Sequence, residues 1–217
     1  MSPRTSALTS KSAGQVSRFP AERLGDAELV QAAARGDAEA ISVIWDRYAT
    51  LVRGVLRGAL GPDLAIEDLL QEVFIALVKG AKGINEGAAL RAYLVGVAVR
   101  LAALELRRRK VRRWVMLSPT GELPDTAVLP RDSEGRQALQ ALYRVLDQLG
   151  TRRRLAFVLR HVQGMGLNEV ATALKISEST ARRELTRARL HVSKSGHHEP
   201  ALHAYLARFR RHDDVAR

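Results

Sequence analysis

Apolar residues recur every three or four positions along most of the chain from Asp26 onward, which is the spacing of an amphipathic α-helix. No stretch shows the strict two-residue alternation of a half-buried strand. Glycine, proline and polar residues interrupt the pattern at 36–37, 61–63 and 79–88, and a fourth helical segment runs from about 90 to 113. The pattern therefore predicts an all-α protein.

The composition changes after the fourth helical segment. Residues 114–135 contain three prolines and more acidic than basic groups, which is typical of an extended linker. Helical spacing then resumes, and near the end of the chain a short amphipathic helix is predicted from about 201 to 211. The predicted organisation is a flexible tail (1–22), a first helical domain (23–113), a Pro-rich linker (114–135), a second helical domain (136–193) and a C-terminal extension (194–217).

The helix predicted over residues 66–77, IEDLLQEVFIAL, has two different faces. One face is an apolar stripe that suits a core, formed by Ile66, Leu69, Leu70, Val73 and Leu77 with Phe74 at its edge. The other face carries Asp68, Gln71, Glu72 and Ile75. One β-branched apolar residue therefore points outward among acidic and amide groups. Taken alone, this is an ordinary solvated face with a single exposed isoleucine.

Residues 166–190, GLNEVATALKISESTARRELTRARL, predict a helix-turn-helix. A short helix over 167–174 is followed by a tight turn at Lys175, and the Ser177 hydroxyl is a good N-cap for a second helix. Glycine usually holds the turn position, and a left-handed conformation costs another residue about 1 kcal/mol, so we expect a slightly reshaped turn. The polar face of the second helix carries Ser179, Arg182, Arg183, Thr186 and Arg187.

Arginine on such a helix can bond guanine edges in the major groove, whereas the alternative is a solvated basic face on a core helix. The charge balance favours a polyanionic partner, since 35 Lys and Arg residues against 23 Asp and Glu leave a net charge of +12. No apolar run is long enough to insert into a membrane, and the chain has no cysteine. We expect a cytoplasmic protein that is not an enzyme and binds no metal and no cofactor.

The order of these segments carries a resemblance to a known family. DAELVQAAARGDAEAISVIWDRY, EDLLQEVFIAL and LRAYLVGVAVRLAALELRRRK, followed by a Pro-rich linker and a helix-turn-helix, resemble an extracytoplasmic-function (ECF) sigma factor of bacterial RNA polymerase. Residues 26–113 resemble its region two and 136–192 its region four. The resemblance implies a protein that binds core RNA polymerase and directs promoter-specific initiation.

The resemblance also implies roles for particular residues. The face formed by Asp68, Gln71, Glu72 and Ile75 corresponds to the surface that docks on the clamp helices of the polymerase beta-prime subunit. The second helix of the helix-turn-helix corresponds to the reader of the minus-35 element in double-stranded promoter DNA. Opening of the minus-10 element and binding of the melted strand correspond to Asn85, Glu86, Arg91, Tyr93, Arg100, Arg107, Arg108, Arg109 and Lys110.

Some implications stay open. Arg100 and Leu104 stand where family members carry Asn and a polar residue, which leaves two alternatives. One is a stand-alone helix-turn-helix regulator, and the other is a sigma-like polymerase-binding protein without promoter opening, held inactive by its own C-terminal helix. A contact with the polymerase beta flap would involve Leu155, Val158 and Leu159, which equally suit the core. An anti-sigma factor is the remaining partner that the family implies.

Overall fold

The computed structural model describes residues 24–84, 88–115, 133–196 and 198–203, and these residues form helices without a strand, which confirms the predicted fold class. The tail over 1–22, linker residues 116–132 and the predicted helix beyond 203 lie outside the described residues. The N-terminal domain comprises α1 (Asp26–Ala34), α2 (Ala38–Leu60), α3 (Ala65–Gly80), a 3₁₀ turn (Ala81–Gly83) and α4 (Ala88–Val115). The C-terminal domain comprises α5 (Ser133–Asp147), α6 (Thr151–Phe157) with a π-helical turn (Val158–Val162), α7 (Leu167–Leu174) and α8 (Glu178–Gly196).

Local chemistry explains the helix boundaries of the N-terminal domain. The Asp37 carboxylate caps α2 by accepting the backbone N–H of Glu39 at 2.9 Å. The helix ends at Gly61, whose φ of 80° is accessible to glycine at little cost. Asp63 then accepts the N–H of Ala65 at 2.7 Å and starts α3. The predicted break at 61–63 is therefore the point where Gly61 ends α2 and Asp63 caps the start of α3.

The long helix α2 packs against α1, α3 and α4, and the six residues of the predicted α3 stripe are all buried. The α1 helix is tied to α2 through Asp26, which pairs with Arg47 at 2.6 Å and accepts a hydrogen bond from the Tyr48 hydroxyl. Burial, together with this carboxylate, raises the pKa of Tyr48 to about 12. The phenol therefore keeps its proton throughout the neutral range.

The C-terminal domain packs α8 against α5, α6 and α7. An ion pair between Arg153 and Glu184 at 2.8 Å links α6 to α8. The start of the C-terminal extension is also held, because Arg144 pairs with Glu199 at 2.7 Å and Leu202 is buried with residues of α5. These contacts fix the helix-turn-helix on a small helical support.

The two domains pack directly against each other. The α4 helix contacts α6 and α7, and the end of α2 contacts the π-helical turn. One continuous apolar cluster includes Leu94 and Ala98 of α4 together with Leu155, Leu159 and Val170 of the C-terminal domain. We call this contact between the domains the seam. It brings the helix-turn-helix beside α4.

Candidate polymerase and DNA interfaces

The outward face of α3 is exposed in the folded chain. Asp68, Gln71 and Glu72 are exposed, and the side chain of Ile75 is 51% accessible. The main packing partners of α3 are α1, α2, α4 and the 3₁₀ turn, which all belong to the N-terminal domain. We call these four residues the docking face.

A groove of about 400 Å³ runs along the docking face. Two aromatic rings, those of Trp45 and Phe74, line the groove, and their centroids lie 4.5 Å apart. Val78, which is 45% exposed, extends the apolar surface by one helical turn beyond Ile75. Residues from α2 and α3 line the groove: Trp45, Gln71, Phe74, Ile75, Val78 and Lys79. A partner helix would find an apolar centre with acidic groups nearby.

The C-terminal half of α4 presents basic side chains to solvent. Arg100, Arg107, Arg108 and Lys110 are all exposed. Leu104 lies among them with 44% of its side chain accessible. This basic track can neutralise phosphates along a strand, and Leu104 adds an apolar contact within it. Asn85 and Glu86, which were predicted to act with this helix, lie outside the described residues.

Arg109 differs from its neighbours because its guanidinium is held inside the domain. It pairs with Asp63 at 2.6 Å and donates to the backbone carbonyl of Leu60 at 2.7 Å. Glu105, itself nearly buried, accepts from Arg109 at 3.3 Å and from Arg112 at 2.5 Å. These contacts tie α4 to the end of α2. They also neutralise part of the positive charge that the sequence RRRKVRR carries.

Tyr93 anchors the start of α4 to α3. Its hydroxyl donates to the carbonyl of Ala76 at 2.9 Å. A Cβ atom on Gly80 would lie too close to that hydroxyl oxygen, so a larger residue at this position would displace the Tyr93 side chain. Tyr93 is half-buried, and its ring offers less surface for stacking a base than the sequence suggested. Arg91, two residues earlier, forms an ion pair with Glu169 of α7.

The helix-turn-helix has the predicted elements, α7 and α8, joined by a short turn. Lys175 adopts the left-handed conformation with φ 53° and ψ 50°, so the expectation of a reshaped turn is wrong. The backbone N–H of the next residue, Ile176, donates a hydrogen bond to the carbonyl of Ala171 at 3.0 Å and closes the end of α7. The predicted cap is confirmed, since the Ser177 hydroxyl accepts the N–H of Thr180 at 3.3 Å.

The α8 helix separates a buried face from an exposed polar face. Ala181, Leu185 and Ala188 are buried. The five predicted DNA-reading residues are exposed: Ser179, Arg182, Arg183, Thr186 and Arg187. Arg187 approaches Glu184 at 3.9 Å, which is a weak pair at this exposure. The arginines are therefore accessible for a partner outside the chain.

The strained turn leads to a stability prediction. Lys175→Gly should stabilise the protein by about 1 kcal/mol, because glycine reaches the left-handed region without the Cβ clash. For a chain of this size, that gain raises Tm by about 2–4 °C in a thermal melt. Lys175→Ala is the matched control, since it removes the same charge but keeps a Cβ atom. An equal gain in both variants would assign the effect to charge.

Neither a metal site nor a membrane span is found in the described part of the chain. No group of three or more His, Asp or Glu side chains there could hold a metal ion. The described helices also lack the combination of length and apolar character that crossing a bilayer requires.

The two domains match two family models. Residues 44–112 match Sigma-70 region 2, and residues 139–192 match Sigma-70, region 4. The ECF RNA polymerase sigma factor SigM of Mycobacterium tuberculosis is 27% identical over 170 residues, covering 78% of this chain and 83% of that protein. SigX of Bacillus subtilis, also an ECF RNA polymerase sigma factor, is 29% identical over 121 residues, covering 54% and 62%.

A solved structure shows the same fold. CnrH in complex with the cytosolic domain of CnrY superposes with a TM-score of 0.58 at 21% identity, covering 78% of this chain and 95% of that chain. Both sigma regions occur in the family's order, and each lies on one of the two helical domains. The chain belongs to the ECF sigma factors of bacterial RNA polymerase, non-enzymatic proteins that act in promoter-specific initiation of transcription.

Proposed function

We propose that three surfaces divide the work of this sigma factor. The docking face on α3 binds the clamp helices of the beta-prime subunit, α4 opens the minus-10 element, and α8 reads the minus-35 element. The observation that carries the proposal is the exposure of the docking face and of the arginines on α8 in the folded chain. The protein would act in the cytoplasm, with core polymerase and promoter DNA as its partners.

The chemistry of the docking face suits a basic amphipathic helix. Apolar contact with Ile75 and Val78 would supply binding energy, and Asp68 and Glu72 would select a positively charged partner. Trp45 contributes to the groove, and tryptophan is frequent among residues whose truncation weakens an interface. This combination favours a polymerase helix over DNA as the occupant.

On α4, we assign DNA contact to the exposed basic track formed by Arg100, Arg107, Arg108 and Lys110. Cations in a row can follow the backbone of a melted strand without reading its sequence. Tyr93 and Arg109 are positioning residues in this proposal, because they attach α4 to α3 and α2. Arg91 is available to the strand only when its pair with Glu169 is broken.

A further contact with the beta flap would require exposure of the C-terminal domain's apolar residues. Leu155, Val158 and Leu159 are buried in the free chain, as the core alternative predicted. In the solved structure with a similar fold, CnrH is in complex with the cytosolic domain of a second protein, CnrY. By extension, we propose that an anti-sigma protein regulates this chain.

Two single substitutions test the division between sequence readout and charge. Arg183→Ala should cost about 1–3 kcal/mol on the preferred minus-35 sequence and much less on a scrambled one. Lys110→Ala should weaken binding to both sequences equally and lower the salt slope by about one counterion. To check this, each variant is assembled with core polymerase into holoenzyme, and the affinity of that holoenzyme for both DNA sequences is measured at several salt concentrations. Identical behaviour of the two variants would contradict the assignment.

Run-off transcription with purified core polymerase tests the function directly. The wild-type chain should produce promoter-dependent transcripts, and core polymerase alone should not. DNA binding without polymerase binding would instead support the stand-alone regulator. Polymerase binding without transcripts would support the sigma-like protein that does not open promoters.

A further inference from the structure

Leu104 on α4 is an apolar residue that the fold leaves in contact with solvent, with 44% of its surface exposed. Its helix neighbours Leu101, Ala103 and Leu106 pack against the main apolar cluster, whereas Leu104 belongs to none of the clusters formed by the described residues. A single exposed leucine is ordinary on a protein surface. The charged side chains around Leu104 determine what it can meet there.

Three exposed arginines share one side of α4 with Leu104. Arg100 and Arg108 lie one helical turn before and after it, about 6 Å along the helix axis in each direction, and Arg107 lies beside it. Within the described residues, Arg100 and Arg107 form no ion pair, and Arg108 approaches the Glu105 carboxylate only at 4.0 Å. We call this side of the helix the Leu104 face. Its guanidinium groups are accessible to phosphates.

The other flank of α4 is also rich in arginine, but its charge is balanced. Arg109 pairs with Asp63 at 2.6 Å and with Glu105 at 3.3 Å. Arg112 pairs with Glu105 at 2.5 Å. Glu105 is only 9% exposed, so water and salt screen its charge little. The positive charge that remains unpaired is therefore concentrated on the Leu104 face.

An apolar side chain among cations favours a particular kind of base contact. The guanidinium groups attract the phosphates of a DNA strand, and this brings the bases of that strand to Leu104. Leucine cannot hydrogen-bond a base edge, and a polar edge pressed against it would lose its water without a replacement. Among the four DNA bases, only thymine carries a methyl group on its edge. The thymine methyl group is therefore the base feature that Leu104 can recognise.

We propose that Leu104 sets a sequence preference in the minus-10 element by packing against the methyl group of a thymine. The inference rests on the proposed function, since it takes α4 as the helix that binds minus-10 DNA. The three arginines hold the strand through its phosphates, which carry no sequence information, and Leu104 supplies the discrimination. By the family resemblance, a polar residue is expected at this position, so this readout differs from that of other members.

Selection of promoter DNA by holoenzyme gives the first test. The wild-type chain and Leu104→Asn are each assembled with core polymerase, and each holoenzyme selects from DNA duplexes randomised across both promoter elements. Sequencing should show a thymine in the minus-10 element that the wild type enriches and Leu104→Asn does not. Leu64→Asn is the matched control, since it makes the same change at an exposed leucine outside α4. The control should keep the wild-type preference.

Removal of the methyl group alone gives a sharper test, because uracil pairs as thymine does but lacks that group. Deoxyuridine at the selected position should weaken DNA binding by the wild-type holoenzyme about three- to fivefold, which corresponds to one methyl group left unburied. The Leu104→Asn holoenzyme should bind the two DNAs equally. Deoxyuridine in place of a thymine outside both promoter elements is the control, and it should not change the affinity of either holoenzyme.

The outcomes separate the inference from the proposed function. Equal affinity of the wild-type holoenzyme for thymine and uracil overturns the role of Leu104, and so does a thymine preference that persists in Leu104→Asn. Both results leave minus-10 binding by α4 intact. A wild-type holoenzyme that selects no minus-10 sequence removes both proposals. The uracil comparison uses the wild-type chain, so it decides the question even if a variant fails to fold.

Discussion

The double substitution Gln71→Ala with Ile75→Arg is expected to weaken binding to core polymerase at least hundredfold. Ile75 lies at the centre of the docking face and lines the groove together with Trp45 and Phe74. An arginine there would bring a positive charge against a basic partner helix and would replace the apolar contact that Ile75 offers. A penalty of about 3 kcal/mol corresponds to roughly a hundredfold in affinity. Titration of labelled sigma factor with core polymerase, without DNA, measures the change.

The fold should survive this substitution because both side chains are exposed and neither belongs to the core stripe. Val111→Arg is the matched control, since it adds the same charge at an exposed apolar position on α4. That variant should bind core polymerase like the wild type. Far-UV circular dichroism checks that all three proteins have the same helix content. Unchanged affinity in the double variant would mean that α3 does not carry the polymerase contact.

The docking face could be predicted from sequence because helical periodicity decides which residues of one helix share a face. Ile75 falls opposite the stripe of Leu69, Leu70 and Val73, and the structure exposes it accordingly. The groove beside it could not be predicted in the same way. Its aromatic wall comes from Trp45 on α2, and periodicity within one helix does not say how two helices are placed.

The roles of the basic residues on α4 were harder to separate for a similar reason. Arg107, Arg108, Arg109 and Lys110 are consecutive, and the sequence gives no ground for treating one of them differently. Arg109 is distinguished by Asp63 and the Leu60 carbonyl, which lie 46 and 49 residues earlier in the chain. Only the tertiary structure brings those acceptors to it.

The seam escaped prediction because its residues satisfy the pattern of an ordinary core. Leu155 and Leu159 are buried, as their spacing indicates, but they join a cluster that includes α4 of the other domain. A hint was present in α2, where Gly54 and Gly58 recur at helical spacing within a long helix that ends at Gly61. Glycine is unfavourable inside a helix unless a close approach requires it. That row marked a contact surface, but not its partner.

Gly58→Gln is expected to open the seam and to give a protein that is more extended than the wild type. The added Cβ atom alone would lie 2.6 Å from Val158, whose branched side chain has few alternative rotamers. The rest of the glutamine would have to displace the π-helical turn or leave an amide buried without partners. Together these effects weaken the contact between the domains by about 3 kcal/mol, or roughly a hundredfold in the equilibrium between packed and separated domains.

Glutamine leaves the net charge unchanged and favours the α2 helix by more than half a kcal/mol relative to glycine, so the N-terminal domain itself should not be weakened. Small-angle X-ray scattering should show a larger radius of gyration for Gly58→Gln. Gly96→Gln is the control for scattering, since a Cβ atom there meets nothing within 4 Å. Equal radii for the wild type and Gly58→Gln would mean that the glycine row does not hold the domains together.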